Sequence, residues 1–162
     1  MARIYISLGS NIDRERNTRS GIAALREHFG PLELSSVYES EAVGFQGDAF
    51  YNMVIGCDVS HDVHATQQLL AEIEDVHGRD RSGPRFSSRT LDLDLLLYDD
   101  LVIDENGLRL PREEILKNAF VLWPLAEIAP DLMHPLAGRR YAELWAAFDK
   151  SKETLVPVEF QF

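Results

Sequence analysis

One cysteine, Cys57, is all that this chain of 162 residues contains, which rules out an internal disulfide framework and suits a reducing compartment. No run of about 18 apolar residues occurs, so the sequence predicts no membrane span. The N-terminus, MARIYISLGSN, enters a strand-like run directly and carries no apolar signal core, so a cytoplasmic protein is expected. Positive charge is also scarce: 16 Lys and Arg stand against 27 Asp and Glu, a net charge of −11. That balance argues against a nucleic-acid binder, which would carry an excess of basic residues. An anionic ligand would need a local basic patch or a bridging metal. No G-x-x-x-x-G-K-[ST] loop, kinase H-R-D or D-F-G set, or G-x-G-x-x-G occurs, so the common nucleotide-binding classes are excluded. Repeats, low-complexity tracts and linkers are absent as well, and one domain spanning residues 1–162 is expected.

What is present suits a folded protein, with 45% hydrophobic and 27% charged residues. RIYISL at 3–8 reads as a strand ending in the turn and capping cluster Gly9-Ser10-Asn11. Residues 12–29 read as a helix with Ile22, Leu25 and Phe29 on one side, and Gly30-Pro31 stops it. Strands are expected at 32–38 and 50–59, a loop at 41–49, and a helix at 61–77 bearing Leu69, Leu70, Ile73 and Val76. A loop at 78–88 precedes a fourth strand within 87–98, with 101–103 as a candidate partner for it. Pro111 opens a short helix or loop, 120–128 reads as a helix, and 141–148 as a terminal one. The order β-α-β-β-α-β predicts an α+β, ferredoxin-like core: a mainly antiparallel sheet with helices on one face and extra C-terminal helices.

Two neighbouring stretches carry the chemistry. GRDRSGPRFSSR places Arg79, Arg81, Arg85 and Arg89 within eleven positions, four of the sixteen basic residues. Arginine suits phosphate because its planar fork donates paired, charge-assisted hydrogen bonds. Alone, such a loop reads as solvated arginines paired with surface acids. The strand that follows, TLDLDLLLY, sets Asp92 and Asp94 on one face, with Leu91, Leu93, Leu95 and Leu97 on the other. Two carboxylates about 7 Å apart repel by roughly 2 kcal/mol at an effective dielectric near 20, so either open water or a cation must offset them. Mg²⁺ prefers one or two carboxylates completed by water and substrate phosphates. An isolated Asp-x-Asp is more often a wet strand face. Next to an arginine-rich loop, it points to Mg²⁺-dependent chemistry on a nucleotide. His61 and His64 share a helix face but lack a third ligand, His28, His77 and His134 stand alone, and Cys57 reads as a small buried residue.

GRDRSGPRFSSRTLDLDLLLY resembles the signature of the 6-hydroxymethyl-7,8-dihydropterin pyrophosphokinase family, as do LGSN at 8–11, YESEAVGF at 38–45, FYN at 50–52 and AFVLWPLAEIAPDL at 119–132. These motifs follow the family's order at near-family spacing over nearly the whole chain. The resemblance implies the ferredoxin-like fold and transfer of pyrophosphate from ATP to the reduced pterin in folate biosynthesis, releasing AMP. It implies two Mg²⁺ on Asp92 and Asp94. Arg79, Arg81 and Arg89 would serve as catalytic phosphate contacts, with Glu74, Leu95 and Arg112 also on the nucleotide. Phe50 and Phe120 would stack on the pterin, Asn52 would bond its polar edge, and Ser40 and Val43 would complete the pocket. Small molecules are the implied partners, with no nucleic acid, membrane or protein partner inferred. The loops at 38–49 and 78–88 would close over ligands. Departures from the family pattern are Arg112 and Asn118, where His and Arg are usual, along with Ala42, Phe86 and Ser87. Arg112 and Asn118 motivate an alternative: a paralogue that binds pterin or nucleotide with altered substrate or low turnover.

Overall fold

Strict alternation in the first strand decides the layering. A computed structural model describes residues 1–41, 47–78 and 90–162. Its elements are β1 (Ala2–Ser10), α1 (Arg14–Phe29), β2 (Glu33–Leu34), β3 (Val37–Ser40), β4 (Phe50–Val59), α2 (Val63–Val76) and β5 (Asp92–Tyr98). Then follow β6 (Ile103–Glu105), β7 (Leu108–Leu110), α3 (Glu114–Lys117), α4 (Ala119–Ile128), α5 (Tyr141–Ala147), a 3₁₀ turn (Lys150–Lys152) and β8 (Leu155–Val158). The main sheet runs β5-β1-β4-β3-β8, with β2 also on β4, and every pairing is antiparallel. Its first four strands have the ferredoxin-like order that the sequence predicts.

The two central strands are buried along almost their whole length, so they need cover on both sides. Ile4, Ile6 and Leu8 of β1 pack with Met53, Ile55 and Cys57 of β4, Ile22 and Leu25 of α1, and Leu70 and Ile73 of α2. Tyr5 and Val54 point the other way, into a second cluster with Ile115, Val121, Leu122, Leu125 and Tyr141. The core helices α1 and α2 cover one face, as expected, and the extra C-terminal helices α3, α4 and α5 cover the other. Among the described residues, no helix is long and apolar enough to cross a membrane.

Four local expectations are corrected. Tyr5 pairs with Leu97 and Ile6 with Leu95, so Leu96 is an extra residue in the ladder. The bulge turns Leu97 into the second cluster, while Leu91, Leu93 and Leu95 stay in the first. Residues 101–103 do not pair with β5. Instead β6 pairs with β7 through Asn106-Gly107, whose φ values of 51° and 78° are those of a two-residue hairpin turn. The strand expected at 32–38 is broken at Ser35, whose hydroxyl accepts the Val54 N–H at 2.9 Å in place of a ladder bond. Nor is α5 the last element, since β8 follows and pairs with β3.

Candidate active site

Register brings separate motifs onto one patch of sheet. Asp92 pairs with Gly9, Gly9 with Asn52, and Asn52 with Tyr38; the next row is Asp94, Ser7 and Val54. Ser40 pairs with Phe50. Because alternate residues share a face, Asp92, Asp94, Ser7, Gly9, Phe50, Asn52 and Ser40 all lie on the side covered by α4. This face turns polar where the second core cluster ends: Ser7, Ser40 and Asn52 are buried. Asn52 donates from Nδ2 to the Ser40 hydroxyl at 2.6 Å, which fixes the amide. Gly9 keeps the floor low, because a Cβ there would stand 3.3 Å from Asn52 Oδ1 and 3.6 Å from the Phe50 ring. Phe120, half-buried in the first turn of α4, packs against the second cluster on this side.

The acidic end holds a cation from the chain itself. Arg112 Nη2 lies 3.3 Å from Asp94 Oδ1, and its Nε donates to Glu114 Oε2 at 2.7 Å. The Arg112 backbone N–H donates to the Leu96 carbonyl, which seats the residue beside β5. Burial alone would lower the Arg112 pKa, but Asp94, Glu114 and Asp92 outweigh it and the net shift is upward. Glu74 of α2 is buried and accepts the Leu93 N–H at 2.8 Å, which fixes the backbone between the two aspartates. The side chain of Leu95 is 2% exposed in the first cluster, on the opposite face from Asp94.

Two residues of the turn and capping cluster at the end of β1 hold the ends of the flanking loops. Ser10 is buried and donates to the Thr90 carbonyl at 2.6 Å. Asn11 donates to the Asp48 carbonyl at 2.9 Å. Their signal was a buried polar pair directly after an apolar strand. Val43, Arg79, Arg81, Arg85 and Arg89, with residues 42–46 and 79–88 of the two loops and their expected closure, lie outside the described residues. Of the paired histidines, the His61 ring lies edge-on to Phe29 and His64 pairs with Glu105 at 3.2 Å, and no cluster of three or more His, Cys, Asp or Glu occurs among the described residues. Cys57 is buried, and burial pushes its thiol up to about 11.

An α+β, ferredoxin-like fold with paired carboxylates beside a polar, aromatic-edged sheet patch defines the class. The chain belongs to the 7,8-dihydro-6-hydroxymethylpterin-pyrophosphokinase (HPPK) family, whose model matches residues 5–130. It is 35% identical over 161 residues to the 2-amino-4-hydroxy-6-hydroxymethyldihydropteridine pyrophosphokinase of Aquifex aeolicus, covering 97% of this chain and 96% of the relative. The Bacillus subtilis protein of the same name is 39% identical over 128 residues, 76% of each chain. Among solved structures, the wild-type HPPK-DHPS of Plasmodium falciparum with SDX-DHP superimposes with a TM-score of 0.70 at 11% identity over 90% of this chain, a likeness of fold. This chain spans 43% of that longer protein.

Proposed function

We propose that this chain is an ATP-dependent diphosphotransferase that moves the pyrophosphoryl group of ATP to the hydroxymethyl oxygen of 6-hydroxymethyl-7,8-dihydropterin, giving AMP and the pterin diphosphate of folate biosynthesis. The observation that carries the reading is the row Asp92, Gly9, Asn52, which sets an acidic seat and an amide suited to a heterocycle's edge on one face of three adjacent strands. Residues 1–162 would act as one cytoplasmic domain on small molecules, with no nucleic acid, membrane or protein partner.

Two half-buried carboxylates fit Mg²⁺, which completes its shell with water and phosphate oxygens. Asp92 and Asp94 would hold two such ions, whose chemistry is to neutralise charge on the ATP phosphates. Arg112 would leave or share Asp94 and turn its free N–H groups to phosphate, with Glu114 holding its Nε. Arg79, Arg81 and Arg89 would clamp the phosphates, and Glu74 would border the nucleotide, with Leu95 contributing through its main chain. Asn52, with its Nδ2 already given to Ser40, would present its carbonyl oxygen to the pterin's donor edge. Phe50 and Phe120 would stack on the ring, and Val43 would complete the pocket. Catalysis would rest on positioning and charge neutralisation, with no covalent intermediate.

The test is AMP release from ATP and Mg²⁺, which should require the hydroxymethyl pterin. A second reading has one observation behind it. Arg112 on Asp94 is also what a paralogue with altered substrate or low turnover would show, and it would bind pterin by calorimetry without releasing AMP.

A further inference from the structure

The first turn of α4 carries Phe120, yet nothing in α4 caps it. Asn118 takes the N-cap position with extended backbone, φ −120° and ψ 124°, and its side chain makes no cap bond. The N–H of Ala119, at the first helical position, has no partner within the helix, and Glu153 accepts it with both carboxylate oxygens, at 3.1 and 3.0 Å. A carboxylate there satisfies an orphan N–H and also meets the positive end of the helix dipole. Glu153 lies 34 residues away in sequence and outside the span 5–130 that the family model matches.

The segment that bears Glu153 is fastened on both sides. Before it, the Lys150 ammonium donates to the Trp145 carbonyl at 2.6 Å, and Asp149 accepts the Ser151 N–H at 3.0 Å. After it, Leu155 pairs with Ser40, and Phe160 packs edge-on to Tyr51 with the Arg19 guanidinium 4.6 Å over its ring. One short stretch of tail therefore touches both α4, beside Phe120, and β3, at Ser40.

We propose that Glu153 is a positioning residue for the pterin slot: by capping α4 from the C-terminal tail, it holds Phe120 opposite the wall of Ser40 and Asn52. The proposal rests on the pterin reading above. Without the cap the first turn of α4 frays, the fraction of molecules with Phe120 in place falls, and apparent pterin affinity falls by the same fraction. The acidic seat on β5 lies three places from β3 in the sheet order, so loss of the cap should act on the pterin side first.

Calorimetry of 6-hydroxymethyl-7,8-dihydropterin and, separately, of a non-hydrolysable ATP analogue with Mg²⁺ tests it. Glu153→Ala should weaken pterin binding roughly five- to tenfold, the range expected of a lost helix cap, and leave the analogue's Kd within about twofold. Glu153→Gln, which keeps an acceptor oxygen, should recover most of the pterin affinity. Ala119→Pro removes the donor at a position where proline is favoured and after a residue already in the pre-proline region. In that background Glu153→Ala should add nothing. Amide exchange at residues 119–122 should speed up in Glu153→Ala and slow again with pterin. Unchanged pterin affinity in Glu153→Ala, an equal loss for both ligands, or a full effect in the proline background would each overturn the proposal. Should Glu153→Ala fail to fold, Glu153→Asp, with the carboxylate drawn back by one methylene, is held to the same criteria. If the parent chain binds no pterin, the proposed function fails first, and the exchange data then show a cap without a pterin role.

Discussion

Asp92 and Asp94 place like charges on one strand face, and the structure answers them with Arg112 at 3.3 Å from Asp94. Side chains about one-third exposed give a pair like this little net stability, so its use is better sought in ligand binding than in folding. Asp92→Asn and Asp94→Asn should therefore fold normally and lose roughly 10²- to 10³-fold in AMP formation, the usual cost of removing one electrostatic contact to a transition state. Parallel melting curves and steady-state rates check this. Arg112→Ala removes a cation from the same carboxylate. It should bind Mn²⁺ several-fold more tightly in the absence of ATP, yet turn over more slowly; unchanged Mn²⁺ affinity would separate Arg112 from the metal seat. A different residue contributes to the response to acid. His134 is buried, and its Nδ1 accepts the Leu136 and Ala137 N–H groups at 3.1 and 3.0 Å, which requires the neutral ring. Burial lowers its pKa from the ordinary 6.5. A depressed histidine stabilises the fold above the unfolded pKa, and that contribution is lost as pH falls through the lower folded value. Urea midpoints between pH 8 and 5 should drop more in the parent chain than in His134→Gln.

At the scale of elements, the turn after β1 fastens both flanking loops, Ser10 to Thr90 and Asn11 to Asp48. Asn11→Ala should cost about 1 kcal/mol of stability, as one lost hydrogen bond does, and should lower kcat/KM more than that loss explains. A urea titration beside steady-state kinetics separates the two effects. Elements with strong periodicity were legible in the sequence: β4 falls on 50–59 as expected, and α1 lies inside 12–29. The misses have physical causes. The Leu96 bulge is set by pairing with β1, which no pattern within TLDLDLLLY reveals, so Leu97 was placed on the wrong face. The β6–β7 hairpin was missed although Asn106-Gly107 announces it. β8 contains Pro157, which reads as a strand breaker and is tolerated because β8 lies at the edge of the sheet.

For the whole molecule, separate sequence motifs become one surface only through the sheet order β5-β1-β4-β3-β8. The aspartates, Asn52 and Ser40 were legible as candidates, from spacing or from family resemblance. The floor at Gly9, the pairing of Arg112 with Asp94 and the cap from Glu153 were not, because each depends on segments far apart in sequence. A chain with a net charge of −11 has little general attraction for ATP, so nucleotide binding should depend steeply on divalent metal. EDTA should weaken binding of the ATP analogue by at least about tenfold, read by calorimetry. The central claim is that the acidic seat and the aromatic, amide-bearing patch serve one reaction, and AMP release measured with and without 6-hydroxymethyl-7,8-dihydropterin tests it most directly. AMP formed with Mg²⁺-ATP only when the pterin is present is the expected result; AMP formed equally without it, or none with it, would contradict the account.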